Sequence, residues 1–264
     1  MVLNRALSLQ TYSGRVNIMK RSLLLICFLL LLASTATASD IKKLKINSQG
    51  KNRTYYLFVP ESVTAAKPVP LVVLLHGSGR DGLSQVEKWK ELAAKEGFII
   101  AGPDSLNSNV WSEPQDGPDF LRDLVTELES KYPINARRVY LFGHSGGAVF
   151  ALFIGLQESE YFAAVAIHAG ALRKQDYELI DQAKRKIPIA LFVGTIDPFF
   201  PLNDVRATRD ALQQRGLTAH LTEIAGHDHN YYVIASKINQ EAWSFLKSYE
   251  LDADPRYEQY NFSH

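Results

Sequence analysis

Val139-Tyr140-Leu141-Phe142-Gly143-His144-Ser145-Gly146-Gly147-Ala148-Val149-Phe150 reads as a strand, a very tight turn and a helix. Val139 to Phe142 are β-branched or apolar, and Arg137-Arg138 introduces them. The helix starts at once with Ala148, Phe150, Ala151, Leu152, Ile154 and Leu156. It is apolar on nearly all sides and is expected in the core. Between them lies Gly143-x-Ser145-x-Gly147, a pattern that forces strained backbone angles on the serine. Gly143 and Gly147 are needed because side chains two positions either side would collide. The turn presents the Ser145 hydroxyl at the carboxyl end of a strand, over a helix N-terminus whose amides face a developing oxyanion. Ser145 is therefore the candidate nucleophile.

Working outward, strands and helices alternate. Leu71 to Leu75 is a continuous apolar run, the pattern of a strand covered on both faces. It leads into His76-Gly77-Ser78-Gly79, where the Ser78 amide is expected to pair with the Gly146 amide as an oxyanion hole. His76 is read as a residue that orients this loop. Thr54 to Val59 is a strand ended by Pro60, with a turn-like lead-in over Asn47 to Arg53. A helix around Trp89 and Leu92, a strand over Phe98 to Ala101 and a helix from Asp119 to Leu128 follow. Asn107 to Gly117 forms a polar loop that places Trp111 as a candidate cleft residue.

Beyond the elbow, Phe162 to Ile167 is a strand ending at His168, read as a packing residue, and Arg173 to Lys186 suggests a charged helix. Ile187 to Gly194 is the next strand, followed by Thr195-Ile196-Asp197. An acid just past a strand end can fix a histidine tautomer and stabilise the imidazolium, which selects Asp197. Its rival Asp204 falls where a helix cap is expected. After a helix over Val205 to Arg215 and a strand over Thr218 to Ile224 comes Gly226-His227-Asp228-His229-Asn230-Tyr231-Tyr232, ahead of a final helix to Tyr249. Two histidines compete for the general base, His227 and His229. The order serine, acid, histidine is the one this chemistry takes on a doubly wound sheet. His-x-His could suggest a metal, but no third ligand stands nearby, so neither metal nor cofactor is expected.

The single cysteine, Cys27, lies in the apolar run Leu23 to Leu32, which follows Lys20-Arg21 and precedes Ala36-Thr37-Ala38. That is the layout of an export leader, with Ser39 as the new N-terminus and Met1 or Met19 as the start. Removing Arg5, Arg15, Lys20 and Arg21 with it takes the formal charge from +1 to −3. The remaining chain has no cysteine and no basic excess, which argues against disulfides, nucleic acid and an anionic membrane surface. The expectation is one domain over residues 39–264, secreted or periplasmic, with no stable membrane anchor once residues 1–38 are gone.

Together these segments resemble the α/β-hydrolase superfamily: a doubly wound, mostly parallel α/β sheet with its site at the strand carboxyl ends and no large lid domain. Arg138-Val-Tyr-Leu-Phe-Gly-His-Ser-Gly-Gly-Ala148 is similar to secreted esterases of the polyhydroxybutyrate depolymerase and feruloyl esterase group. Gly226-x-Asp228-His229-Asn-Tyr231-Tyr232-x-Ile234-Ala235 is similar to esterase D, the S-formylglutathione hydrolase family, and implies His229 as the base. The feruloyl esterase pattern Gly-His-Asp-aromatic would favour His227, so His229 is taken as the base with His227 as the alternative. The resemblance implies a serine carboxylic ester hydrolase acting on a small-molecule or polymer-derived ester. The alternatives are a serine peptidase or amidase, or a non-catalytic binding protein, on the same fold.

Overall fold

In the computed structural model, residues 40–258 are described, so the leader and the Met1 or Met19 start lie outside the described residues. Eight strands form one sheet: β1 (Lys42–Ser48), β2 (Lys51–Phe58), β3 (Val69–Leu75), β4 (Ile99–Pro103), β5 (Ile134–His144), β6 (Ala164–His168), β7 (Ile189–Gly194) and β8 (Ala219–Ile224). Their order is β1-β2-β4-β3-β5-β6-β7-β8. The pairs β1/β2 and β2/β4 are antiparallel and all others parallel.

The helices are α1 (Gly82–Glu96), α2 (Asp119–Glu129), α3 (Gly146–Gln157), α4 (Glu178–Gln182), α5 (Leu202–Gln214) and α6 (Tyr231–Leu246). The strands' two-residue period builds two cores. Leu71, Val73 and Leu75 of β3 face one side with Leu124 of α2, Leu152 of α3 and Val205 of α5. Val72 and Leu74 face the other with Trp89 of α1 and Trp243 of α6. Every residue of β3 is buried, which is why its sequence is an unbroken apolar run. This is the doubly wound arrangement the alternation predicts.

The turn-like stretch Asn47 to Arg53 is the tip of a hairpin: β1 and β2 turn at Gln49-Gly50, both at positive φ (50° and 72°). Two local readings change. Arg173 to Lys186 is not one helix but a 3-10 turn at Lys174–Asp176 and the short α4. Beyond it Arg185 reaches the carbonyls of Ser159, Phe162 and Ala163, which draws the chain out of helical geometry. Asp204 sits inside the first turn of α5, and the cap position is Pro201.

Candidate active site

The elbow closes between β5 and α3. Ser145 has φ 55° and ψ −120°, a conformation that only surrounding packing can hold. Both glycines are sterically required. A Cβ on Gly143 would lie 2.1 Å from the Gly147 carbonyl oxygen, and one on Gly147 would lie 2.3 Å from that of Leu75. The Ser145 amide donates to the His168 carbonyl at the end of β6 (3.0 Å), which pins the turn to the neighbouring strand.

The structure brings His229, rather than His227, to the serine. His229 Nε2 lies 2.9 Å from Ser145 Oγ, and Nδ1 lies 2.9 Å from Asp197 Oδ2. Asp197 follows β7, and its side chain is wholly buried. Its other oxygen accepts the Phe199 and Phe200 amides (2.9 and 3.0 Å), so both carboxylate oxygens are engaged. The histidine loop is tied to the acid turn: the Ile196 amide donates to the His227 carbonyl, and the Gly226 amide to Thr195 Oγ1. Phe199 meets the His229 ring edge-on at 4.8 Å, and Phe200 lies parallel to it at 5.9 Å.

His227 points inward. It is buried, its ring packs against His168 at 5.4 Å, and its Nε2 has no hydrogen-bond partner among the described residues. Burial lowers its pKa from the ordinary histidine value.

Ser78 and Gly146 are adjacent across the cleft. A Cβ on Gly146 would lie 3.6 Å from the Ser78 amide nitrogen. Ser78 and Gly146 thus stand side by side next to Ser145. His76 supports this loop from below. The Ser105 amide donates to its Nε2, which leaves the proton on Nδ1 to bond the Gly77 carbonyl at 2.9 Å. Burial keeps this imidazole below its ordinary pKa and neutral, in the loop-orienting role read for it.

A family model named Esterase, described as "Putative esterase", matches residues 46–246. The chain belongs to this esterase family. A bifunctional acetylxylan esterase/xylanase of Neocallimastix patriciarum is 27% identical over 61% of this chain and 23% of its own. Feruloyl esterase B of Piromyces equi is 31% identical over 52% of this chain and 28% of its own. The chain thus spans less than a third of the length of these two curated relatives. An S-formylglutathione hydrolase of Staphylococcus aureus shares the fold, with TM-score 0.68 at 16% identity, covering 80% of this chain and all of that one. The architecture is that of the α/β-hydrolase esterases.

Two pockets flank Ser145 in this esterase-family chain. One, about 380 Å³, is lined by Ser145, His229, Arg80, Asp228, Tyr232 and Phe199, among others. The other, about 390 Å³, lies beyond Gly146 and is walled by Trp111, Val149, Phe150 and Phe153. Trp111 is both anchored and cleft-lining: Nε1 donates to the His76 carbonyl (2.9 Å) and its ring stacks on Phe150 at 5.1 Å. Among the described residues no inserted domain covers this edge of the sheet.

Sequence reasoning passed over what holds the Trp111 loop. Arg53 and Asp116 form a buried ion pair at 2.6 Å, with side chains 2% and 1% exposed. Arg53 also donates to the Gln115 and Asp104 carbonyls and lies 3.6 Å above the Phe120 ring. Asp116 accepts from the Leu106 and Ser112 amides (both 2.9 Å). It also passed over His144, buried beneath His229 with ring centroids 5.0 Å apart, and Arg80, whose guanidinium stacks on Tyr232. An arginine after a glycine-rich turn carries no local signal of such a role.

Proposed function

We propose that the chain is an exported serine carboxylic ester hydrolase in which Ser145, His229 and Asp197 act as nucleophile, base and orienting acid. The observation that carries this reading is the continuous line Ser145 Oγ–His229 Nε2 and His229 Nδ1–Asp197 Oδ2, each contact 2.9 Å, at a strained elbow. His229 takes the Ser145 proton as Oγ bonds the ester carbonyl carbon. The carbonyl oxygen becomes an oxyanion held by the Ser78 and Gly146 amides. When the carbon–oxygen bond to the alcohol breaks, His229 gives its proton to the leaving oxygen. Water then attacks the acyl-enzyme, His229 accepts its proton, and the acid departs as Ser145 recovers a proton.

Family membership and the ester-cleaving names of the relatives support an ester substrate, small or polymer-derived. The proposal of export rests on residues 1–38; among the described residues no helix is long and apolar enough to cross a membrane.

A fluorophosphonate probe tests this reading. It should modify Ser145 alone, as read by peptide mass spectrometry, with p-nitrophenyl butyrate hydrolysis lost in step. Labelling that leaves Ser145 untouched contradicts it.

A further inference from the structure

The two pockets differ in chemistry, and the position of His229 says which half of an ester each would hold. The leaving oxygen must reach His229 Nε2 to be protonated. His229 and Ser145 line the first pocket but not the second. With the carbonyl oxygen directed at the Ser78 and Gly146 amides, the alcohol half extends into the first pocket. The acyl half turns past Gly146 into the largely apolar pocket of Trp111, Phe150 and Phe153, where Asn109 and Glu113 supply the polar wall.

The alcohol side carries an arginine, Arg80, and an exposed carboxylate, Asp228. Arg80 lines that pocket, is exposed, and stacks on the Tyr232 ring with its guanidinium carbon 4.9 Å from the centroid. Among the described residues no carboxylate comes within ion-pair distance of it. Two acids stand beside it in sequence or in the same pocket, and each gives one carboxylate oxygen to a backbone amide. Asp81 caps α1 by accepting the Ser84 amide (2.9 Å), and Asp228, itself exposed, accepts the Asn230 amide (2.8 Å). Stacking on Tyr232 restrains the planar guanidinium, and an arginine so held at a pocket wall can take a carboxylate through paired hydrogen bonds.

We propose that Arg80 is a specificity residue of the alcohol subsite, and that the preferred substrates are esters of apolar acids with hydroxycarboxylates, whose carboxylate pairs with Arg80. This rests on the reading of Ser145 and His229 given above.

The test compares butanoyl esters of glycolate, 3-hydroxypropanoate and 4-hydroxybutanoate with the matching esters of the hydroxyamides. The readout is the ratio of kcat/KM for each acid to its amide, in wild type, Arg80→Gln and Arg80→Met. The chemical reactivity of each ester cancels between proteins. The ratio is expected to fall about fivefold in both variants for at least one member of the series, the scale of a solvent-accessible ion pair. In wild type alone, raising salt from 50 to 500 mM is expected to lower it in the same direction. A ratio unchanged by substitution and by salt overturns the assignment, and so does wild type that hydrolyses p-nitrophenyl butyrate but no member of the series. Wild type inactive on p-nitrophenyl butyrate and unlabelled at Ser145 instead overturns the reading on which this one rests.

Discussion

His144 and His168 face each other Nδ1 to Nδ1 at 3.0 Å, beneath the His229 ring. One ring must donate and the other accept, so the pair exists as complementary neutral tautomers. Burial, reinforced by the neighbouring imidazoles, lowers His144 to about 3 and His168 to about 2. The residue preceding Ser145 and the residue whose carbonyl pins Ser145 are thereby locked to each other.

Both pKa values lie below the ordinary 6.5, so the unfolded chain binds more protons than the folded one below about pH 6.5. Their contribution to stability is complete above that pH and is lost as pH falls toward 3. Each fully buried group adds a slope of up to about 1.4 kcal/mol per pH unit. Urea unfolding midpoints should fall steadily from pH 7 to pH 5. His168→Asn, which keeps a polar neighbour for His144 but cannot titrate, should show a shallower fall.

Glu158 has the opposite sign. It closes α3, where a negative charge opposes the helix dipole, and burial pushes its pKa up to about 7. Its contribution is present below the ordinary 4.5 and is lost as pH rises through 7. Glu158→Gln retains an acceptor for the Glu258 amide and carries no charge. It should melt higher than wild type at pH 8 and show little or no advantage at pH 4, by calorimetry at both.

The Arg53–Asp116 pair holds the Trp111 loop with every charged oxygen and most guanidinium donors satisfied. Asp116→Ala strands a buried cation and should cost about 3–5 kcal/mol in urea unfolding. Turnover of p-nitrophenyl butyrate should fall too, because Trp111 anchors to His76 directly under the Ser78 loop.

Ser78 is proposed to act through its backbone amide, so Ser78→Ala should keep p-nitrophenyl butyrate kcat within a few-fold of wild type. Gly146→Ala should lower it more, because the new methyl would press on Ser78 Oγ at 2.8 Å beside the oxyanion donors.

The elbow was legible because its constraint is local: Gly143 and Gly147 are spaced by the collisions they avoid. The inner strands were legible because β3 and β6 are buried on both faces and read as apolar runs. β1 was not, because Lys42–Ser48 pairs along one side only and carries the lysines that protect an edge strand. Motif favoured His229 but left His227 as an alternative, since both follow β8 in the same loop. The structure separates them by direction, one ring turned toward His168 and the other toward Ser145. Arg53 and Asp116 meet across 63 residues, and no pattern within a window of sequence announces such a pair.

The central claim is that His229 serves Ser145, and it is tested most directly by p-nitrophenyl butyrate hydrolysis with His229→Ala beside His227→Gln. The account predicts a loss on the order of 10⁴-fold or more in kcat for His229→Ala, the scale of removing the base from a serine–histidine pair. His227→Gln should stay within about tenfold of wild type. An inactive His227→Gln protein that folds normally, beside an active His229→Ala, would contradict it.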